Sequence, residues 1–242
     1  MKKIDPDASI ALILGPAEQP IEIVLPKDHG VAVVAMEVFN SNCYAPVAGT
    51  RDIKTIVDIG ANAGIASTYF RFKYPEASIT CFEPDQSIFP YLFHNASIIG
   101  NCKPHNFGLF NCDAKLDFFT LGGTSVLSSF KEESGGTAVP GGIAVRNVNH
   151  AFSELGIGHI DLLKIDTEGS EIPILHTMRK DLLAGIELIH LEFHSRLDRL
   201  LLDCMLSQTH VLWVSDIHDM NRGQLTYVNR NSPALSHASP AL

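Results

Sequence analysis

From Thr55 onward, short continuous apolar runs alternate with longer stretches in which apolar residues recur every three to four positions. The runs predict buried strands, and the stretches predict helices packed over them. Strands are expected at 56–59, 78–82, 103–107, 160–165 and 188–193. Helices are expected at 65–74, 86–99, 172–183 and 197–206, the first of them stopped by Pro75. Two short closing strands are expected at 211–214 and 225–228. Strands joined through helices build a mostly parallel sheet with helices on both faces. The expected class is α/β with a seven-stranded sheet.

Two regions break the alternation. Residues 1–50 have weak periodicity, are interrupted by Pro16, Pro20, Pro26 and Pro46, and hold one helical stretch around Val31 to Phe39. They read as an N-terminal extension or cap. Within 109–149, Lys115–Leu121 is expected as an antiparallel strand with Ile143–Val148 as its partner or neighbour. Three Gly-Gly pairs fall in this insertion. A glycine-rich segment this long inside a compact domain is usually functional, so it is the candidate lid over a site. The Ser- and Pro-rich tail 231–242 is expected to be flexible, which leaves 51–230 as the principal domain.

Composition narrows the class of partner. The chain of 242 residues is 45% hydrophobic and 19% charged, as expected for one large globular domain rather than a disordered or coiled-coil chain. Its net charge of −9 lacks the basic footprint that nucleic acid or an anionic membrane requires, so the expected partner is a small molecule. The oligomeric state stays open, a homodimer included. Five cysteines without a Cys-x-x-Cys pair signal neither a disulfide framework nor a zinc cluster. The early apolar run Ile10–Leu14 is too short for a signal-peptide core or a membrane span. A soluble, cytoplasmic protein with reduced thiols is expected.

The most informative stretch is Val57-Asp58-Ile59-Gly60-Ala61-Asn62-Ala63-Gly64, a strand entering a glycine turn that opens a helix. Backbone N–H groups of such a turn are expected to be open to a ligand. It is not the dinucleotide fingerprint, because Asn62 stands where the second glycine would let the backbone approach a pyrophosphate. Nicotinamide and flavin dinucleotides are therefore disfavoured. Asp58 at the strand end suits a ligand carrying an amine. Glu83, at the end of the second strand and followed by Pro84, stands where a carboxylate accepts hydrogen bonds from both ribose hydroxyls. Together, Asp58, Gly60, Ala61, Asn62, Gly64, Glu83 and Pro84 point to S-adenosylmethionine in a class I methyltransferase fold.

These motifs, with Ile160-Asp161-Leu162-Leu163-Lys164-Ile165-Asp166-Thr167-Glu168-Gly169-Ser170-Glu171 and Leu191-Glu192-Phe193-His194, occur in an order that resembles the FkbM family of S-adenosylmethionine-dependent methyltransferases. The resemblance covers roughly residues 52 to 215. It implies a Rossmann-like fold and, as a rule, O-methylation of a natural product or sugar-like acceptor. Family members commonly carry an Asp before the helix that precedes the fourth strand. Here the sequence reads Asn147-Val148-Asn149-His150, and any capping role is expected to pass to Asn149.

Methyl transfer is an in-line displacement on a sulfonium, so the protein supplies position and a group that takes the acceptor proton. Lys164, Asp166 and Glu168 alternate on the chain leaving the fourth strand. Asp166 is expected to face the acceptor or the amino-acid part of the cofactor, with Lys164 holding the carboxylates apart. His190, Glu192 and His194 alternate on the fifth strand. His194 is the expected general base, since an imidazole of ordinary pKa, about 6.5, suits proton abstraction near neutrality. Glu192 belongs to the same catalytic set. No metal is expected, because residues two apart on a strand lie about 6.6–7 Å apart and His190 and His194 stand twice as far. Asp216, His218 and Asp219 read as a solvated loop. The expected activity is O-methylation of a small hydroxylated acceptor. N- or C-methylation and a non-catalytic or regulatory S-adenosylmethionine-binding protein are the alternatives.

Overall fold

The computed structural model describes residues 4–16, 18–27, 29–41, 43–117, 119–121, 128–129, 136–138 and 141–237. The chain opens with strands β1 (Ser9–Leu14) and β2 (Ile21–Pro26) and helix α1 (His29–Asn40). It continues through β3 (Thr55–Ile59), α2 (Ile65–Lys73), β4 (Ser78–Phe82), α3 (Phe89–Ile99) and β5 (Cys102–His105). The insertion holds β6 (Gly108–Phe110), β7 (Ala114–Leu116), β8 (Phe119–Leu121), β9 (Ser128–Ser129), β10 (Gly136–Ala138) and β11 (Ile143–Asn147). The last third comprises α4 (Val148–Glu154), β12 (Leu162–Ile165), α5 (Glu171–Thr177), α6 (Lys180–Gly185), β13 (Leu188–Phe193), α7 (Arg196–Leu206), β14 (His210–Ile217), β15 (Gly223–Asn229) and α8 (Pro233–His237).

Seven of these strands form one sheet in the order β14-β15-β13-β12-β3-β4-β5. All neighbours are parallel except β15, which runs antiparallel to both β13 and β14. The chain order reverses between β3 and β12, and the carboxyl ends of strands at such a switch point are where open α/β sheets bind ligands.

Strand alternation sorts the core onto two faces. Ile56, Ile79, Leu162 and Leu188 pack on one side among residues of α1, α2 and α3. Val57, Ile59, Leu163, Ile165, Ile189 and Leu191 pack on the other with residues of α4 to α7. Helices on both faces and a mostly parallel seven-stranded sheet make this the expected class I methyltransferase fold.

The departures have local causes. Residues 9–26 form an antiparallel hairpin, β1 with β2, rather than an irregular preamble. Fully buried Asn95 of α3 ties that hairpin down, since its side chain accepts from Val24 N (2.9 Å) and donates to Val24 O and Ala63 O (both 2.8 Å). The helix expected over 172–183 is two, because Met178 and Arg179 are extended. Asn149 accounts for the break: its amide donates to Thr177 O (2.7 Å) and its oxygen accepts from Arg179 N (3.0 Å). Asn149 is therefore not the cap of α4. Asn147 is, its side chain accepting from Asn149 N and His150 N.

In the insertion, only the first part of the strand expected over 115–121 pairs antiparallel with β11, as β7, whereas β8 pairs with β9 and β10 in a separate sheet; β6 adds a parallel strand to the other edge of β11. Much of the candidate lid lies outside the described residues. Residues 233–237, expected as flexible tail, are the short helix α8. No described helix is long and apolar enough to cross a membrane.

Candidate active site

A cleft of about 1230 Å³, part of it open to solvent, lies over the carboxyl ends of β3, β4, β12 and β13. Gly60, Asn62, Glu83, Pro84 and Asp85 line one end. Tyr44, Asp166, Glu168, Glu192, Arg222 and Gln224 line the other, and Val31, Val34, Glu37 and Val38 of α1 form a side wall.

The glycine turn is built to receive something other than an anion. Gly60 N and Ala61 N both donate to Phe82 O (3.0 Å), and Gly64 N donates to Ala61 O (2.8 Å). Asn62 N donates to Glu83 Oε2 (2.9 Å) and Ala63 N to Asn62 Oδ1 (2.7 Å). All five N–H groups from 60 to 64 are thus used inside the protein, which corrects the expectation that they are open to a ligand. The turn still needs its first glycine. Gly60 has φ +76°, and a Cβ there would lie 1.8 Å from the Asp166 carbonyl oxygen. Gly60 and Gly64 let the loops after β3 and β12 and helix α3 pack closely rather than admit a phosphate. Ala61 is buried beside them.

Glu83 stands at the cleft as expected, but it also has a structural task. Its Oε2 accepts from Asn62 N and its Oε1 from Asp85 N (2.8 Å). One N–H on each oxygen fixes the carboxylate and leaves further lone pairs for a ligand. Burial, against these hydrogen bonds, pushes its pKa up to about 7.

Asp58 does not face a ligand. It is fully buried, pairs directly across β3–β12 with Lys164, and accepts from Ser67 Oγ (2.7 Å). Lys164 Nζ lies 3.2 Å from Asp58 Oδ1 and 3.7 Å from Asp166 Oδ2, and donates to Gly60 O (2.6 Å). Burial works against the ammonium, but Asp58 and Asp166 hold its pKa above the ordinary lysine value. Lys164 thus separates the carboxylates as expected, and the amine partner assigned to Asp58 is this lysine.

At the far end, burial disfavours ionised Asp166, but Lys164, His194 and a hydrogen bond from Glu192 bring its pKa below the usual carboxylate range. The Tyr44 hydroxyl lies 3.5 Å from Asp166 Oδ2. Burial and then the Asp166 charge raise Glu168 to about 7 and Glu192 to about 9. Glu171 turns away from the cleft and closes the loop before α5, accepting from Thr167 N and Thr167 Oγ1 (both 2.8 Å).

His194 is where the sequence expectation fails. Its Nδ1 lies 3.3 Å from Glu168 Oε2 and its Nε2 3.6 Å from Glu171 Oε1. Burial alone would lower its pKa. Glu171, then Glu168 and Glu192, overcome that and raise the imidazole to about 9. An imidazole held as a cation at neutral pH is a poor acceptor for that proton, which argues against His194 as the base. His190 lies deeper, fully buried against Tyr44 and Phe70 with Nδ1 3.0 Å from Thr226 Oγ1.

The ligand atoms of Asp166, Glu192 and His194 lie within 4.8 Å of one another, because β12 and β13 are parallel neighbours. The strand-spacing argument compared positions along one strand and missed this cross-strand approach. Tyr44, Glu37, Arg222 and Gln224 also line the cleft without having been singled out. Their segments lack motifs, and only Glu37 left a signal, a carboxylate on an otherwise apolar stretch of α1. Asp216, His218 and Asp219 are exposed as expected, with His218 at the cleft rim.

Strand order, the turn after β3 and the carboxylate after β4 define a protein of the class I methyltransferase fold. The Methyltransferase FkbM domain matches residues 58–220, more than half of the chain, and the chain belongs to the FkbM methyltransferase family. It is 29% identical to Methyltransferase sdnD of Sordaria araneosa over 170 residues, covering 57% of this chain and 65% of that one. It is 27% identical to Methyltransferase 1 of Beauveria bassiana (strain ARSEF 2860) over 165 residues, covering 60% and 66%. The chain thus spans just under two thirds of the length of these relatives. Among solved structures, the fibrillarin pre-rRNA processing protein of Methanococcus jannaschii aligns with a TM-score of 0.49 at 9% identity, covering 90% of this chain and 82% of that one.

Proposed function

We propose that the protein is an S-adenosylmethionine-dependent methyltransferase that methylates a hydroxyl of a small natural-product or sugar-like acceptor. One observation carries the cofactor: the turn after β3 spends every N–H from 60 to 64 internally while Glu83 presents a fixed carboxylate to the cleft. Such a site suits ribose hydroxyls and a cationic ligand, and it has no backbone donors in that turn for a pyrophosphate. Membership of the FkbM family and the names of both relatives support the same reading.

When bound, S-adenosylmethionine supplies a methyl group on a sulfonium. Glu83 holds the ribose. Lys164 pairs with Asp58, keeps Asp166 ionised and holds the two carboxylates apart, and the N-terminal segment closes the acceptor end with α1 and Tyr44. Asp166, ionised and partly open to the cleft, takes the acceptor hydroxyl proton. While no ion is bound, His194 is charged and steadies the surrounding carboxylates.

Titration calorimetry with S-adenosylhomocysteine tests the cofactor, and no binding at millimolar ligand overturns it. Turnover of S-adenosylmethionine with a panel of hydroxylated and amine acceptors then separates an O-methyltransferase from an N-methyltransferase and from a protein that only binds the cofactor.

A further inference from the structure

The geometry points to a divalent first-row transition cation held by Asp166, Glu192 and His194 at the acceptor end of the cleft. Each residue offers one ligand atom, and the three atoms lie within 4.8 Å of one another, close enough to share one ion. Binding would displace the protons that Glu192 and His194 carry in the ion-free site, leaving two hard carboxylates and a borderline imidazole. Mn²⁺, Fe²⁺, Co²⁺ and Zn²⁺ accept such mixed ligands and keep open positions for water or a substrate oxygen.

Three further observations fit an ion here. Both ring nitrogens of His194 are shut off from solvent and reach carboxylates only through long ion pairs, 3.3 Å to Glu168 and 3.6 Å to Glu171, with no well-formed hydrogen bond. Apart from His194, the carboxylates of Asp166, Glu168 and Glu192 are paired among the described residues only with Lys164 and Arg222, and Lys164 is already engaged by Asp58 and Gly60 O. Arg222 is 41% exposed and stands 3.6 Å from Glu192 and 3.7 Å from Glu168, a loosely held counter-charge that an ion can displace.

The role of the ion rests on the proposed methyl transfer, whereas its binding does not. Bound between the strands, it would receive the acceptor hydroxyl oxygen and make its proton more acidic. Each residue gives one ligand atom, so Asp166 keeps its second oxygen for that proton. The oxygen then bonds to the methyl carbon as the carbon–sulfur bond breaks, leaving a neutral thioether.

The test is Mn²⁺ titration of the chelator-treated protein, read by loss of the free Mn²⁺ electron paramagnetic resonance signal, with S-adenosylhomocysteine binding measured on the same samples. One site per chain is expected, weakened at least tenfold by Glu192→Gln and by His194→Gln. Arg222→Ala, which removes the competing cation, should tighten it severalfold. No Mn²⁺ binding at about 1 mM, or less than threefold weakening in both ligand variants, overturns the site. If one ligand variant fails to fold, the other and Arg222→Ala still decide. Absent Mn²⁺ binding with intact S-adenosylhomocysteine binding removes the ion and leaves the methyltransferase reading standing. The reverse result removes that reading and leaves the ion.

Discussion

The two ends of the cleft are made of different material. At the end holding Gly60, Asn62 and Glu83, the main chain sets the shape: five consecutive N–H groups are satisfied internally, and one carboxylate is locked by two of its neighbours' amides. At the end holding Asp166, Glu168, Glu192 and His194, ionisable side chains dominate, and their charges are set by burial and by one another rather than by hydrogen bonds to backbone. The first end is suited to a ligand that never changes. The first end has Glu83 as its one titrating group near neutrality, whereas the second gathers several, and its walls come from α1 and from the chain around Arg222, which lie at or beyond the edges of the family domain.

Breaking the ion pair that separates the ends should have the largest effect. Lys164→Met leaves Asp58 as an unpaired buried charge, and losing one partner of a buried pair typically costs about 3–5 kcal/mol. Chemical denaturation should show that loss. A variant as stable as the parent would mean that Asp58 is held by Ser67 alone.

The charged end is probed next. If Asp166 takes the acceptor proton, Asp166→Asn should lower turnover by about 10²–10⁴ and change S-adenosylhomocysteine affinity less than threefold. His194→Gln should cost less in turnover. At saturating S-adenosylmethionine, the pH–rate profile should also lack a fall between pH 8 and 6, because Asp166 stays ionised throughout. A profile that falls with an apparent pKa near 6.5 would return the base to a histidine.

How much of this contrast was legible follows from what is local. Continuous apolar runs such as Leu188–Phe193 revealed the sheet because burial on both faces needs no partner to be known. Glu83 was legible from its distance past the glycine turn. The partner of Asp58 was not, because Lys164 is adjacent only through the β3–β12 register. The charge of His194 depends on Glu171 and Glu168 from another loop, which no spacing reveals. The hairpin of β1 and β2 hid behind prolines, although Ile21, Ile23 and Leu25 alternate. The cap of α4 lay two residues earlier than expected, at Asn147, because Asn149 serves the α5–α6 break instead.

The fold has its own pH limit in its buried histidines. Burial lowers His190 to about 3, and lowers His210 as well. An imidazole held neutral when folded gains its proton only on unfolding, so stability is full above about pH 6.5 and declines as pH falls below it. His190 alone accounts for about 2 kcal/mol lost by pH 5. Because the raised groups Glu83, Glu168, Glu192 and His194 add stability over the same range, the effect is read as a difference. Between pH 7.5 and 5 the protein should lose stability relative to His190→Gln, and an identical pH dependence of thermal unfolding in the two would contradict the buried neutral ring.

The most direct measurement is calorimetric titration of the intact protein with S-adenosylhomocysteine across pH 8 to 6, beside the Glu83→Ala variant. The account predicts one site per chain. It predicts affinity that weakens below about pH 7, as Glu83 takes up a proton, and at least about tenfold weaker binding in the variant, since hydrogen bonds to a charged group contribute about 1.5–3 kcal/mol each. The variant should also melt lower, because Asn62 N and Asp85 N lose their acceptor. A lower melting temperature with unchanged affinity would make Glu83 purely structural, and no binding at millimolar ligand would contradict the central claim.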